Sequence, residues 1–166
     1  MPMQIRPFQP EDTQGIVQLI LPIQTEEFGI PITLEDQPDL LDIQNFYQQG
    51  QGNFWVAVQD GQVVGTISLL DIGNNQGALR KMFVHPDFRG KPFGTAQKLL
   101  EVLLSWAREK GMKEVLLGTT AKYLAAHRFY EKNGFVQMEA EDLPANFPRM
   151  QVDTRFYRIS PDQYIL

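Results

Sequence analysis

The fold is decided by one stretch of sequence, Arg89-Gly90-Lys91-Pro92-Phe93-Gly94-Thr95-Ala96. A strand-like run, Leu79–Val84, and a turn, His85–Phe88, precede this stretch, which opens a long amphipathic helix. A glycine-containing loop at a helix N-terminus directs several backbone N–H groups to one point, where the helix dipole adds about half a positive charge. Arg89 and Lys91 add further positive charge. The stretch therefore predicts a site for a phosphate-bearing ligand, built mainly from backbone.

Taken alone, the loop has a second interpretation. Its two glycines, Gly90 and Gly94, also suit an ordinary turn and helix start, because glycine is common wherever a chain bends and short glycine patterns recur by chance. The loop is not a nucleotide P-loop, since Pro92 stands where Ser or Thr follows the Gly-Lys pair of that motif. It also lacks the Gly-x-Gly-x-x-Gly pattern of a dinucleotide site.

A second motif decides between the two interpretations. Ala126–Phe135 reads Ala-His-Arg-Phe-Tyr-Glu-Lys-Asn-Gly-Phe and lies on and just past another short helix. Together, the two motifs resemble the GNAT family of N-acetyltransferases, whose pyrophosphate loop follows a Val-x-Pro turn and whose later signature contains Tyr-Glu-Lys-x-Gly-Phe. Val84-His85-Pro86 supplies the turn, and Arg89 and Gly94 match the first and last positions of the loop. The resemblance covers Asn53 to Phe135 well and the ends loosely.

The resemblance implies an α/β (α+β) acyl-CoA N-acyltransferase fold over a single domain, residues 1–166. This GNAT fold has a central mixed, mostly antiparallel sheet, about four flanking helices, and a splayed pair of parallel strands. It also implies acetyl-CoA as cofactor and acetyl donor, with the pantetheine arm entering between the splayed strands. The cofactor-binding residues that it implies are Met82, Phe83, Val84, Arg89, Gly90, Lys91, Phe93, Gly94, Thr95, Ala96, Tyr123 and His127.

The chain departs from the family pattern at two positions of the expected cofactor site. Pro92 replaces the middle glycine of the loop and removes one backbone N–H, which Lys91 offsets as a point charge. Tyr123 stands where many relatives carry an asparagine that touches the cofactor.

For catalysis, the resemblance implies that the Val84 amide polarises the acetyl carbonyl and that Tyr130 protonates the departing thiolate. The general base stays open, because the strand that carries a glutamate in many relatives has none here. Asp71, Glu26 and Glu27 are candidates, each of which is equally well a solvated surface charge. Deprotonation through water, without a dedicated base, is a further alternative.

Bulk composition excludes several classes of protein. The chain of 166 residues is 43% hydrophobic, carries a net charge of −5 and contains no cysteine and two histidines. The acidic balance argues against nucleic-acid binding. Without cysteine there is no acyl-cysteine intermediate, so transfer should be direct, within a ternary complex. No metal site and no membrane-spanning segment are expected, and a cytoplasmic location fits best.

Periodicity and turn residues predict the order of elements. Two N-terminal helices, the second over Asp39–Gln48, should follow a first strand. An antiparallel meander should then lead into the phosphate loop, its helix and a parallel strand. The C-terminal part should hold a helix over Thr120–Asn133 and strands over Phe135–Ala140 and Arg149–Ser160.

Two functions remain open. The first is transfer of an acetyl group to a primary amine of a small molecule or a protein, by a protein that relatives suggest is a homodimer. Acidic residues near the expected acceptor mouth, Glu26, Glu27, Glu35 and Asp36, would suit a cationic amine. The alternative is a non-catalytic domain that keeps the fold and binds or senses acyl-CoA, which Pro92, Tyr123 and the missing strand glutamate favour mildly.

Overall fold

A computed structural model describes residues 2–164; residues 1, 165 and 166, at the ends of the predicted domain, lie outside the described residues. Seven strands form one sheet in the order β1-β2-β3-β4-β5-β7-β6. The strands are β1 (Gln4–Pro7), β2 (Asn53–Gln59), β3 (Gln62–Gly73), β4 (Gln76–Val84), β5 (Glu114–Thr119), β6 (Val136–Met138) and β7 (Arg155–Ile159). All neighbouring strands run antiparallel except β4 and β5, so the predicted mixed sheet is confirmed.

Within the described residues, four α-helices cover the two faces of the sheet: α1 (Thr13–Pro22), α2 (Ile43–Tyr47), α3 (Thr95–Glu109) and α4 (Leu124–Lys132). One core joins α3 and α4 to the sheet through residues such as Leu99, Leu103 and Tyr130. A second core joins α1 and α2 to the opposite face through Ile16, Ile20 and other apolar residues. We call these the α3/α4 face and the α1/α2 face. No helix within residues 2–164 has both the length and the apolar character needed to cross a bilayer.

The parallel strands β4 and β5 pair over a short distance and then separate. Their register joins Gln76–Ala78 to Glu114–Leu116 and goes no further. β4 nevertheless continues to Val84 on β3, and β5 continues to Thr119 on β7. Beyond Ala78 and Leu116, the facing backbone edges of β4 and β5 therefore have no strand partner.

A β-bulge in β4 lies just beyond the last paired residue. Thr66 and Ser68 of β3 pair with Phe83 and Arg80, so two β4 residues, Lys81 and Met82, stand opposite one residue of β3. Lys81 has a left-handed φ of 53°. A bulge bends its strand and increases the local twist, which directs β4 away from β5.

Two buried hydroxyls hold the bulge. Thr66 Oγ1 donates to the Lys81 carbonyl at 2.7 Å, and Ser68 Oγ donates to the Arg80 carbonyl at 2.6 Å. Both residues are fully buried. The bulge also changes which face each side chain meets, because Arg80 and Lys81 both contact the α1/α2 region whereas Met82 packs into the α3/α4 core.

Two predicted elements are wrong. The helix over Asp39–Gln48 is a 3-10 turn, Pro38–Leu41, followed by α2. Asp42 interrupts it with φ −147° and ψ 50°, and the buried Asp39 carboxylate accepts the Tyr47 hydroxyl at 2.6 Å, which draws the first turn into the core. The strand over Arg149–Ser160 is only β7, because residues 149–154 form a turn closed by the Asp153 N–H on the Met150 carbonyl at 3.1 Å.

Other predicted elements exist with shifted ends. The C-terminal helix begins at Leu124 rather than Thr120, because Thr120–Tyr123 forms a separate turn closed by the Tyr123 N–H. The strand predicted at Phe135–Ala140 is reduced to β6. The first helix continues past Pro22 as a π-helical segment, Ile23–Glu27.

Removing the Thr66 hydroxyl should destabilise the protein. Thr66→Val keeps the shape of the side chain but leaves the buried Lys81 carbonyl without that donor, which costs about 1–3 kcal/mol. Thr25→Val is the matched control, since the exposed Thr25 hydroxyl bonds a helix carbonyl that water also reaches, and it should change stability by less than about 0.5 kcal/mol. Urea unfolding measures both variants. Equal stability of the two would show that the hydroxyl does not hold the bulge.

Candidate active site

A cavity of about 270 Å³ fills the gap between the separated strands. We call it the interstrand cavity. Its walls come from both strand edges, from α4, from the π-helical segment with the loop that follows it, and from the loop before β7. The lining residues used below are Arg80, Lys81, Met82, Phe83, Val84, Arg89, Gly118, Tyr123, Tyr130 and Asp153.

Two of the walls follow the separated strands. Leu79–Val84 on one side and Leu117–Thr120 on the other line the cavity. Because β4 and β5 stop pairing before these segments, their facing N–H and C=O groups are available to an extended ligand, in the manner of an added strand. An amide-containing arm therefore fits this gap.

The loop before α3, at one end of β4, is a candidate anion-binding corner. Gly94 adopts a left-handed φ of 60° as the N-cap of α3, and no side chain within residues 2–164 caps the helix there. The first-turn amides of Thr95, Ala96 and Gln97 have no partner inside the helix, so they are free to bind an anion. The Lys91–Pro92 peptide is cis, and Phe93 packs on Phe88 with ring centroids 5.1 Å apart.

Arg89 connects this loop to the α1/α2 region. Its Nε donates to the Val84 carbonyl at 2.9 Å, and its two terminal nitrogens donate to both carboxylate oxygens of Glu27, one of them at 2.7 Å. These hydrogen bonds lower the pKa of the Glu27 carboxyl. Glu27 is thereby occupied as an ion-pair partner rather than free to take a proton from an acceptor.

The other two candidate bases also lie outside the cavity lining. Asp71 accepts the Gln51 and Gly73 N–H groups, each at 2.9 Å, and so stabilises two turns. Glu26 is exposed on the π-helical segment. The structure therefore places none of the three predicted carboxylates beside the separated strands.

Tyr130 projects from α4 into the cavity. Its side chain is buried between Phe129, Phe135 and Tyr157, and its hydroxyl points to the Met82 sulfur at 3.7 Å. Burial raises the pKa of this phenol, so it stays protonated across the ordinary pH range. Tyr130 is thus a proton donor whose hydroxyl has only a weak sulfur partner.

Tyr123 and His127, both predicted to bind the cofactor, have different surroundings. Tyr123 lines the cavity and makes edge contacts with Phe28, at 4.8 Å between centroids, and with Phe83, at 6.3 Å. Burial raises its pKa to about 12. His127 is buried on α4 outside the cavity lining, where its Nε2 bonds the Thr120 carbonyl at 2.9 Å and burial lowers its pKa.

The predicted cofactor residues therefore fall into three groups. Met82, Phe83, Val84, Arg89 and Tyr123 line the interstrand cavity together with Tyr130. The loop and helix-start residues lie around the anion-binding corner outside the cavity lining: Gly90, Lys91, Phe93, Gly94, Thr95 and Ala96. His127 belongs to neither group. No cluster of three or more potential metal ligands occurs within residues 2–164.

Two cations on the α1/α2 face were not anticipated. The Lys81 side chain is only 7% exposed, and its ammonium donates to Gln37 Oε1 and lies 3.9 Å from the Asp39 carboxylate. Burial lowers the pKa of Lys81 to about 8, although the negative charge of Asp39 acts to raise it. The Arg80 guanidinium stacks 5.4 Å from the Phe46 ring centroid, and no carboxylate of the described chain lies within 4.0 Å of it.

A half-buried carboxylate, Asp153, was also missed. It lines the cavity beside Gly118 of β5, and burial raises the pKa of its carboxyl above the usual range. The sequence carries no local sign of this position, because the pattern around Asp153 predicts a strand. The acidic residues expected near the acceptor mouth, by contrast, are exposed. One of them, Asp36, accepts a hydrogen bond from the Thr33 N–H at 3.0 Å.

Comparison with known proteins agrees with this geometry. The model of the acetyltransferase (GNAT) family matches residues 17–135. An N-acetylaspartate synthetase from Danio rerio is 38% identical over 133 residues, which are 77% of this chain and 46% of that protein. The chain spans less than half the length of the curated relatives it matches.

Solved structures give the same result across almost the whole chain. An acetyltransferase of the GNAT family from Staphylococcus aureus Mu50 is 36% identical with a TM-score of 0.91, covering 96% of this chain and 99% of its own. An N-acetyltransferase from Thermoplasma acidophilum, solved in complex with coenzyme A, shares the fold at 18% identity and a TM-score of 0.72, covering 96% and 99%. Since the family model matches well over half of its residues, the chain belongs to the acetyltransferase (GNAT) family.

Proposed function

We propose that the protein transfers an acetyl group from acetyl-CoA directly to a primary amine that also carries a carboxylate. The observation that carries the proposal is the separation of β4 from β5, which leaves two unpaired backbone edges around the interstrand cavity. A non-catalytic binding domain would need the same separation but no proton donor inside it, and Tyr130 projects there.

The residues present fit the acetyl donor. The anion-binding corner at the start of α3 suits a pyrophosphate, and the strand edges suit the two amides of a pantetheine arm. When bound, acetyl-CoA supplies an acetyl group activated as a thioester. The chain orients that thioester between the strand edges and excludes water from much of it.

Two groups of the chain act on the reacting atoms in this proposal. The Val84 amide, at the end of β4, stabilises negative charge on the acetyl oxygen. Tyr130 donates its proton to the departing sulfur from the α3/α4 face. Its hydroxyl already contacts one sulfur atom there, that of Met82. The raised pKa of Tyr130 keeps that proton available.

The acceptor enters from the α1/α2 face, where the charges favour an anion. Lys81 is held by a fixed amide, because Gln37 is itself locked to Gln24 by reciprocal hydrogen bonds of 2.9 and 3.0 Å. Arg80 is oriented by ring stacking, and no carboxylate of residues 2–164 lies within 4.0 Å of its guanidinium. Among primary amines, these cations favour one that also bears a carboxylate. The name of the Danio rerio relative, an N-acetylaspartate synthetase, agrees with an amino-acid acceptor.

The location and assembly of the protein, and its organisation as a single domain, stay predictions. The cytoplasmic location rests on the composition and patterning of the sequence, the homodimer on the resemblance, and the single domain over residues 1–166 on chain length and the resemblance together.

Acceptor preference tests the proposed function. Release of free thiol from acetyl-CoA should occur with amines that carry a carboxylate and be much slower with the matching amides or decarboxylated amines. Lys81→Met should raise the acceptor KM roughly tenfold to a hundredfold, the value of a charge-assisted hydrogen bond of about 1.5–3 kcal/mol. In the wild type, the acceptor KM should also rise above pH 8, where Lys81 loses its charge.

The control is Lys98→Met, the same change at an exposed position on α3, which should leave the acceptor KM unaltered. Absence of thiol release with every amine, despite binding of acetyl-CoA, would instead support the non-catalytic alternative. Activity that prefers amines without a carboxylate would contradict the acceptor assignment alone.

Tyr130→Phe should lower kcat by about 10²–10⁴-fold with little change in acetyl-CoA affinity, because only the acidic proton is removed. Tyr157→Phe removes a hydroxyl from the neighbouring ring, one that bonds Glu131 and lies outside the cavity lining, and should keep most of the activity. Steady-state kinetics with calorimetric measurement of acetyl-CoA binding separates the two effects. An unchanged kcat across the pH range would reject Tyr130 as the acid.

A further inference from the structure

The proposed function leaves one half-buried carboxylate of the cavity lining, Asp153, without a role. Asp153 lies in the turn at residues 149–154, just before β7. Its Oδ2 accepts the Met150 N–H at 3.0 Å, while its own N–H donates to the Met150 carbonyl at 3.1 Å. The next residue, Thr154, ties the turn to β5 through its N–H on the Thr119 carbonyl at 2.9 Å. The carboxylate is therefore fixed in place by backbone on both sides.

A glycine on β5 makes room for this carboxylate. A Cβ added at Gly118 would stand 2.5 Å from Asp153 Oδ2 and 2.8 Å from its Cγ, which is closer than atoms approach. Gly118 has an ordinary backbone conformation, since it is not among the residues with positive φ. The absence of a side chain at Gly118 is thus explained by the position of the carboxylate and not by a turn.

The carboxylate lies on the face of the sheet from which the acceptor enters. The charged groups that act on it are Arg80 and Lys81 of β4 and Arg149 of its own turn, whereas β5 and β7 present the uncharged Gly118 and Phe156. The bulge places Arg80 and Lys81 on the α1/α2 face, and Met82 and Tyr130 meet on the other. A carboxylate and a phenol thus reach the same cavity from opposite faces.

We infer that Asp153 is the general base that takes the proton from the acceptor ammonium. This inference rests on the proposed function, and it makes Asp153 a catalytic residue in contact with the acceptor nitrogen. Arg80 and Lys81 hold the carboxylate of the acceptor at the same time, so the two ends of an amino acid meet charges of opposite sign.

The protons and bonds balance in three steps. The acceptor ammonium gives one proton to the Asp153 carboxylate and becomes a neutral amine. The nitrogen lone pair forms the C–N bond as the C–S bond breaks, and the departing sulfur takes the Tyr130 proton. The new amide nitrogen loses its second proton to the Tyr130 phenolate, and Asp153 returns its proton to solvent, so one proton is released per acetyl group transferred.

The environment suits this role. Burial raises the pKa of the Asp153 carboxyl, while Arg80, Arg149, Lys81 and the Met150 N–H oppose that shift. A carboxylate whose pKa lies nearer to neutrality is a better acceptor of a proton from an ammonium group. The wild-type rate should therefore increase with pH through the ionisation of Asp153.

Asp153→Asn tests the inference, since an amide oxygen still accepts the Met150 N–H and preserves the turn. We expect kcat to fall by about 10²-fold or more at neutral pH, with acetyl-CoA affinity unchanged. The difference from the wild type should shrink as the pH approaches the pKa of the acceptor amine, because free amine needs no base. Asp142→Asn, an exposed aspartate of the same connection, is the control and should behave as the wild type.

Gly118→Ala provides an independent variant, because its methyl group displaces the Asp153 carboxylate without changing it chemically. It should lower kcat with the same pH dependence, and the double variant with Asp153→Asn should be no slower than the slower single variant. Melting temperature and calorimetric acetyl-CoA binding show whether each variant is folded.

Two outcomes separate this inference from the proposed function. A wild-type protein that acetylates no amine refutes the proposed function itself. An active wild type together with a folded Asp153→Asn variant of equal kcat and equal pH profile overturns the base assignment only, and transfers deprotonation to Lys81 or to water.

Discussion

The bulge at Lys81 and Met82 is the constraint on which the site depends. One extra residue in β4, held by the hydroxyls of Thr66 and Ser68, bends the strand just past its last pair with β5, where the interstrand cavity opens. The same extra residue turns Lys81 to the α1/α2 face and Met82 to the α3/α4 face. A single local irregularity thus provides both the unpaired backbone edges for a donor and the charged surface for an acceptor.

The charges of the cavity are divided between the two faces of the sheet. A protonated phenol, Tyr130, stands on one face, and Arg80, Lys81 and Asp153 meet on the other. Burial drives these pKa values in opposite directions, raising those of the tyrosine and the aspartate and lowering that of the lysine to about 8. Such a division matches a reaction in which an ammonium loses its first proton on one side while a thiolate gains a proton on the other.

Much of this arrangement was predictable from the sequence. The order of strands, the parallel pair and the loop at the start of α3 follow from turn residues, periodicity and two motifs of fixed spacing. The bulge was not predictable, because its left-handed residue is a lysine, Lys81, and not a glycine that would mark such a φ in the sequence. Asp153 was missed because the alternating apolar residues around Phe156 predict a longer strand than β7, which begins only at Arg155. The turn before β7 is fixed by long-range contacts with Gly118 and Thr119, which local sequence does not show.

Backbone hydrogen exchange with and without acetyl-CoA tests the central claim most directly, because it reports on the strand edges themselves. The account predicts that acetyl-CoA slows exchange in Leu79–Val84, in Leu117–Thr120 and at the first turn of α3, and leaves the β1–β2 edge unchanged. Binding of acetyl-CoA without added protection in the two strand segments would show that the gap between β4 and β5 does not hold the donor, and would contradict the account.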